Sequence, residues 1–154
     1  MRVFLGLLFA LTFVSASVAA DPRWTTAFAQ GTTENIIRNE RGSNLNIYCP
    51  SGQSDTTPGM FIEFDKLKPK RGEQVDVQIV VDGKSHPFGF AEIQFEAKGP
   101  ANRNSLAALI DALTKSRART FAVEIPKFGI SERFSLLDAK KVFKSAKDFL
   151  DGCQ

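Results

Sequence analysis

The sequence has few of the residues that usually build a catalytic or metal-binding site. Among its 154 residues are one histidine, one tryptophan, one tyrosine and two cysteines. Two cysteines and one histidine cannot complete the usual tetrahedral zinc site without carboxylate ligands, and no Cys-x-x-Cys motif is present. The aromatic residues are mostly phenylalanine, 14 in all, which favours a packed core over an aromatic ligand surface. We therefore expect no catalytic residues, no metal and no cofactor.

Neither charge sign is in large excess. The 20 basic residues nearly balance the 17 acidic ones, and the net charge of +3 is too small to predict nucleic-acid binding. The hydrophobic and charged fractions, 43% and 24%, are ordinary for a globular protein. At this length, residues 21–154 are expected to form one domain.

The N-terminus has the pattern of a signal peptide. Met1-Arg2 is a short basic segment, Val3–Val14 is mostly apolar, and Ser15–Ala20 consists of small residues. Val18 and Ala20 occupy the positions that signal peptidase requires for cleavage after Ala20. The alternative, a membrane anchor, is disfavoured because the apolar run is shorter than the roughly 20 residues that span a bilayer. We therefore predict a signal peptide over residues 1–20 and a periplasmic or secreted location, favouring a Gram-negative bacterium.

The two cysteines, Cys49 and Cys153, both lie beyond the signal peptide. In an oxidising compartment such a pair predicts one disulfide, which would join an early strand to the C-terminal end. A reactive or metal-binding thiol pair remains the alternative.

Alternating apolar residues predict most of the strands. The clearest pattern is Val75, Val77, Ile79 and Val81, which alternate with more polar neighbours as in a half-buried strand. Similar patterns predict further strands at residues 24–29, 35–39, 45–49, 60–65, 88–97, 120–125 and 130–136, with a bend near Gly89 in the longest.

Two amphipathic helices are predicted in the C-terminal half. Leu106, Leu109, Ile110 and Leu113 fall on one helical face, after a cap at Asn104 or Ser105. Asp138 is predicted to cap one final helix, whose apolar stripe is Ala139, Val142, Phe143, Ala146, Phe149 and Leu150. Strands followed by helices predict an α+β fold, an antiparallel sheet or sandwich with one disulfide.

Three local patterns could suggest catalysis, and each has a simpler interpretation. Gly83-Lys84-Ser85 resembles the end of a phosphate-binding loop, but Gln78 occupies the position of the required glycine. His86, beside Pro87, is expected to be a solvent-exposed turn residue rather than a catalytic base. The carboxylate pairs Glu63 with Asp65 and Glu92 with Glu96 resemble the catalytic pairs of glycosidases. They are expected instead to lie on the solvent-exposed faces of half-buried strands.

Two groups of basic residues form the candidate binding site. The first lies on the final helix and the second in the connection before the strand at residue 75: Lys140, Lys141, Lys144, Lys147, and Lys66, Lys68, Lys70, Arg71. Together they could contact an anionic partner or membrane headgroups, although a solvated helix face is the usual alternative. The polar loop Pro50–Gly59 is a second candidate, because loops often carry binding function.

The C-terminal third resembles known families. The segments are Leu-Ile-Asp-Ala-Leu at 109–113, Thr-Phe-Ala-Val-Glu-Ile at 120–125, Arg-Phe-Ser-Leu-Leu-Asp-Ala-Lys-Lys-Val-Phe at 133–143, and Gly152-Cys153. With the Leu-Asn-Ile-Tyr-Cys strand at 45–49, they resemble the type VI secretion-associated periplasmic proteins and the invasion-associated locus B family. The resemblance implies an envelope protein without catalytic residues.

These observations favour an exported, non-enzymatic binding or accessory protein of the cell envelope with a protein partner. Two alternatives remain open. One is a small inhibitor or immunity protein that binds an enzyme or toxin through a protruding loop. The other is a hydrolase with an unrecognised site, which would need Asp82, His86 or the paired carboxylates to converge.

Overall fold

A computed structural model describes residues 22–51 and 57–153, and these form an antiparallel sheet covered by helices. The elements, in chain order, are β1 (Thr25–Ala29), β2 (Thr32–Arg38), β3 (Asn44–Pro50), β4 (Gly59–Glu63), β5 (Gln74–Val81), β6 (Lys84–Ala91), β7 (Gln94–Glu96), α1 (Gly99–Lys115), β8 (Thr120–Ile125), β9 (Ile130–Ser135), α2 (Ala139–Phe143) and α3 (Ala146–Asp151). A single 3-10 turn, Pro126–Phe128, joins β8 to β9.

The nine strands are ordered β1-β2-β3-β4-β7-β6-β5-β8-β9, and every pair is antiparallel. The predicted α+β fold, with its antiparallel sheet and C-terminal helices, is therefore confirmed.

One face of the sheet carries most of the core. The alternating residues of β5 are buried as the sequence pattern predicts, and opposite residues of β6 and β8 lie on the same face. We call this the inner face. Helix α1 packs its predicted apolar stripe into the same core, because Leu106, Leu109, Ile110 and Leu113 are all buried. The helices α2 and α3 pack against α1 in turn.

The sheet curves until β9 approaches the segments that flank β1 and β2. At one place Asn39 Nδ2 donates to Glu132 Oε2 on β9, at 2.9 Å. At another, the backbone N–H of Trp24 donates to the carbonyl of Leu137 at 3.0 Å. Trp24 closes the core between these contacts, where it is only 2% exposed and packs on the rings of Phe121 and Phe143.

The predicted disulfide is confirmed. Cys49 on β3 and Cys153 after α3 are bonded, with their Cα atoms 5.2 Å apart and a separation of 104 positions in sequence. Both cysteines are buried, so the bond fastens the last helix to the inner face of the sheet.

The predicted final helix is in fact two short helices. Lys144 has a φ of 56°, which breaks the helix after Phe143. Ser145 then caps α3, because its Oγ accepts from the backbone N–H of Asp148 at 3.0 Å. The predicted cap, Asp138, makes no capping hydrogen bond.

The strand predicted at 88–97 is also divided, into β6 and β7. The chain turns at Glu92, whose φ is 59° and whose backbone N–H donates to the Glu73 carbonyl at 2.8 Å. The predicted bend at Gly89 is wrong, since Gly89 lies within β6, opposite Asp76. Helix α1 begins at Gly99, before the predicted caps, with Pro100 in its first turn, where a missing N–H costs nothing.

Two predictions concern residues outside the described segments. The predicted signal peptide, residues 1–20, lies outside the described residues, as does the middle of the predicted binding loop, residues 52–56. Within the described segments, no helix has the length and apolarity needed to cross a membrane.

Candidate functional site

The structure separates the two groups of basic residues. Lys66, Lys68, Lys70 and Arg71 lie between the end of β4 and the start of β5. Helix α2 follows the end of β9. The register places the end of β9 beside the start of β8, and the start of β8 lies beside the end of β5. The two groups therefore lie at opposite ends of the strands, and we treat them as separate surfaces.

The lysines of α2 and α3 differ in their partners. Lys147 pairs with Asp151 at 2.5 Å, and this carboxylate raises the pKa of the lysine above its usual value. Lys140, Lys141 and Lys144 are exposed, and the described residues offer none of them an ion pair. These three lysines are thus available to an anionic partner, whereas Lys147 is already paired.

The carboxylates considered for catalysis do not form pairs. Glu63 ends β4, where it accepts from Asn44 Nδ2 at 3.2 Å, and Asp65 lies beyond the strand. Glu92 is in the β6–β7 turn and accepts from the backbone N–H of Gly72 at 2.6 Å, whereas Glu96 pairs with Lys98. Glu63, Glu92 and Glu96 therefore each have a structural contact of their own. No group of three or more potential metal ligands occurs in the described segments.

His86 is buried, so the prediction that it is a solvent-exposed turn residue is wrong. It is 7% exposed and shares the inner face with Phe88 and Phe90, because these residues alternate along β6. Its Nε2 has no hydrogen-bond partner among the described residues. Burial, and secondarily the nearby Lys84, lowers the pKa of His86 below its usual value, so the neutral imidazole is the stable form.

Burial of neutral His86 predicts an acid-sensitive fold. The unfolded chain binds a proton near pH 6.5, but the folded chain binds it only at lower pH. The stability contribution of neutral His86 is therefore complete above that pH and is lost as the pH falls towards the lowered folded-state pKa. Urea denaturation between about pH 7.5 and about pH 5 measures this loss.

His86→Leu is the matched variant, because it keeps the residue apolar and cannot titrate. We expect the variant to lose less stability than the parent over the same pH interval. Equal slopes of stability against pH in the two proteins would contradict the assignment.

The strand β1 is the most exposed edge of the sheet. All five of its residues are exposed, and it pairs only with β2. None of these residues carries a charge. Phe28 is 69% exposed and lies opposite Thr33, which in turn lies opposite Cys49, so the phenylalanine is on the inner face beyond the cover of the helices.

A cleft lies beside β1, between the inner face and the break that separates α2 from α3. Its volume is about 220 Å³, and its walls include Thr26 and Asn35 from the sheet, and Val142, Lys144 and Phe149 from the helices. Thr26 donates to Asn35 Oδ1 at 2.9 Å, which holds the polar wall in place. One lysine of the predicted binding group, Lys144, is thus part of the cleft beside the open edge.

Sequence reasoning predicted β1 but not its exposure. The pattern Thr-Thr-Ala-Phe-Ala at residues 25–29 does not distinguish an edge strand from a central one. The exposure of β1 could have been predicted from its lack of charge only if the order of the strands were also known. That order depends on pairing between residues that are distant in sequence.

Comparisons with known proteins identify one family for this chain. None of the curated proteins and none of the solved structures matched it. One family model, described as YfjT, matches residues 22–143, which include every strand, the long helix and the start of the helical C-terminus. The chain therefore belongs to the YfjT family.

Proposed function

We propose that this protein is an exported, non-enzymatic accessory protein of the bacterial cell envelope, and that it acts by binding a partner protein through the edge of β1. The observation that carries the proposal is that β1 is open, uncharged and exposed along its whole length. Natural proteins usually protect such edges with charges, proline or a covering segment, because an open edge pairs with other chains.

The surroundings of β1 support a strand-binding site. A strand added to β1 would hydrogen-bond to its backbone and place alternate side chains over Phe28 and the neighbouring cleft. Phe28 offers the aromatic anchor that typically dominates protein interfaces. The unpaired lysines Lys140, Lys141 and Lys144 lie on the helices that flank this cleft and favour a partner with acidic residues nearby.

The envelope location rests on other support. The signal-peptide pattern at residues 1–20 and the buried disulfide are both typical of exported proteins. The C-terminal resemblance to type VI secretion-associated periplasmic proteins and to the invasion-associated locus B family agrees with a periplasmic location and a non-enzymatic role.

Site-specific photocrosslinking in living cells tests the proposal. A benzophenone side chain replaces Phe28 in one variant and Asp76, an exposed residue of β5, in the control. We expect one reproducible crosslinked partner from position 28 and none from position 76. The same partner from both positions, or none from position 28, would contradict binding at β1.

A charge on the strand tests the mode of binding. Ala27 lies opposite Glu34, so Ala27→Lys gains a cross-strand ion pair and is expected to fold normally. A lysine on the edge should nevertheless hinder strand addition and reduce the crosslinking yield from position 28 by about tenfold, the effect of about 1.4 kcal/mol. Ala27→Ser is the neutral control and should crosslink like the parent; equal yields from the lysine and serine variants would exclude strand pairing.

A further inference from the structure

A second groove lies at the other edge of the sheet, where β9 faces the turn between β2 and β3. Its volume is about 530 Å³. One wall is the five consecutive residues Ser131–Ser135 of β9, with Arg119 and Thr120 beside them at the start of β8. The other wall is formed by Pro22 and Asn39–Arg41. In a strand, successive side chains point to opposite faces, so a groove that touches five consecutive residues of β9 reaches the strand's backbone edge as well as one of its faces.

The backbone edge of β9 is available for pairing. Among the described strands β9 pairs only with β8, from Ile130 opposite Ile125 to Ser135 opposite Thr120. In an antiparallel pair, half of the N–H and C=O groups of an outer strand point away from its neighbour. Those groups of β9 point towards the groove and can accept one more strand.

Contacts at both ends limit the length of that strand. The side chain of Asn39 hydrogen-bonds to Glu132 near the start of β9. The backbone N–H of Trp24 hydrogen-bonds to the carbonyl of Leu137, just after the end of β9. The five groove-lining residues of β9 correspond to about 17 Å at about 3.3 Å per residue. The groove therefore suits a short extended segment.

The side chains around the groove favour acidic residues in that segment. Arg41, Arg119 and Arg133 line it together with Glu40 and Glu132. Glu132 is already neutralised, because it accepts from Asn39 Nδ2 at 2.9 Å and pairs with Arg41 at 3.4 Å, and its side chain is only 12% exposed. Arg119 and Arg133 are exposed and have no ion pair with any described residue, so their two positive charges outnumber the one remaining carboxylate of the groove, Glu40.

We propose that this groove binds a short, extended, acidic segment of a partner protein by adding a strand to β9. Main-chain hydrogen bonds to β9 would hold the segment, and the guanidinium groups of Arg119 and Arg133 would pair with its carboxylates. The site is independent of β1, since it lies at the opposite edge of the sheet order and has charged rather than neutral surroundings. It stands even if β1 binds nothing.

Synthetic peptides of about seven residues test the proposal on the purified, oxidised protein. The probe is Thr-Glu-Val-Glu-Val-Glu-Thr, and a second peptide carries lysine in place of each glutamate. A third keeps the three glutamates but has proline in place of both valines, so it has the same charge and cannot pair as a strand. Binding is followed by NMR titration of the backbone amides, which reports affinity and location together.

We expect the acidic probe to shift the amide signals of Ser131–Ser135 and to bind at least about tenfold more tightly than the lysine peptide and the proline peptide. Binding should weaken between about 50 mM and about 300 mM salt, because exposed charges are screened. Equal binding of the acidic probe and the proline peptide would overturn strand addition, and no shift at Ser131–Ser135 would overturn the site.

Two arginine variants complete the test. Arg119→Ser combined with Arg133→Ser should weaken binding of the acidic probe by about tenfold or more. Arg117→Ser is the matched control, since Arg117 is exposed nearby but does not line the groove, and it should bind like the parent. Unchanged binding by the double variant would overturn the role of the arginines. Phe28→Glu should leave peptide binding unchanged, which separates this site from the one on β1.

Discussion

Replacing both cysteines, Cys49→Ala with Cys153→Ala, is expected to lower the free energy of unfolding by about 2–5 kcal/mol. The bond closes a loop across 104 residues of sequence, and a loop of this length restricts the unfolded chain by about 4.7 kcal/mol in the chain-entropy model. Such a loss is a large part of the stability of an ordinary domain. Urea denaturation followed by circular dichroism measures it.

Reductant provides the control for the cysteine variant. Dithiothreitol should destabilise the parent by an amount similar to the double substitution, and it should not affect the variant, which has no cysteine left. If the double variant lost less than about 1 kcal/mol, the constraint on the unfolded chain would not be the main contribution of this bond.

Trp24→Ala is expected to cost about 3–5 kcal/mol, the range for removing a large buried aromatic side chain. The indole is 2% exposed, and its ring lies 5.0 Å from that of Phe143 and 6.2 Å from that of Phe121, measured between centroids. Alanine would leave a cavity where the segment before β1 meets the segment after β9, and the backbone hydrogen bond from Trp24 to Leu137 would lose its apolar support.

Trp24→Phe separates ring packing from the indole N–H. The Nε1 atom has no hydrogen-bond partner among the described residues, so losing this N–H should cost nothing. Phenylalanine retains the aromatic contacts and should lose less than half as much stability as alanine in the same urea experiment. If the two variants were equally unstable, the residue would contribute through its N–H or its full volume and not through ring packing.

Patterns of period two and of period 3.6 allowed the core to be predicted. Val75, Val77, Ile79 and Val81 are buried as the alternation indicates, and the stripe of α1 is buried as its helical spacing indicates. These patterns are local, and burial follows directly from which side of the backbone a residue occupies. The same rule applies to His86, which alternates with Phe88 and Phe90, but its position beside Pro87 favoured a solvent-exposed turn.

The break between α2 and α3 could not be read from the apolar stripe. The stripe continues in step from Phe143 to Ala146 and Phe149, so helical periodicity predicts one helix across the break. Ser145 and Asp148, three residues apart, were the available signal, because this spacing is typical of a helix start.

Neither candidate binding site could be located from the sequence. The groove at β9 joins Pro22, Asn39–Arg41 and Ser131–Ser135, which are remote in the chain and meet only because the sheet curves. The openness of β1 depends on strand order, which is set by pairings such as β4 with β7 and β5 with β8. The sequence offered basic residues as the site, and only Lys144 among them lines one of the clefts described.

The meeting of the sheet's two ends has a consequence for the order in which the chain acquires its structure. Trp24 forms a backbone hydrogen bond with Leu137, and Cys49 forms a disulfide with Cys153. The first strands therefore cannot make all of their native contacts until the C-terminal residues are in place. A fold dominated by such distant contacts has a high contact order and is expected to form slowly. If the chain is exported N-terminus first, the uncharged strand β1 would therefore stay exposed until the C-terminal helices have been exported and have folded.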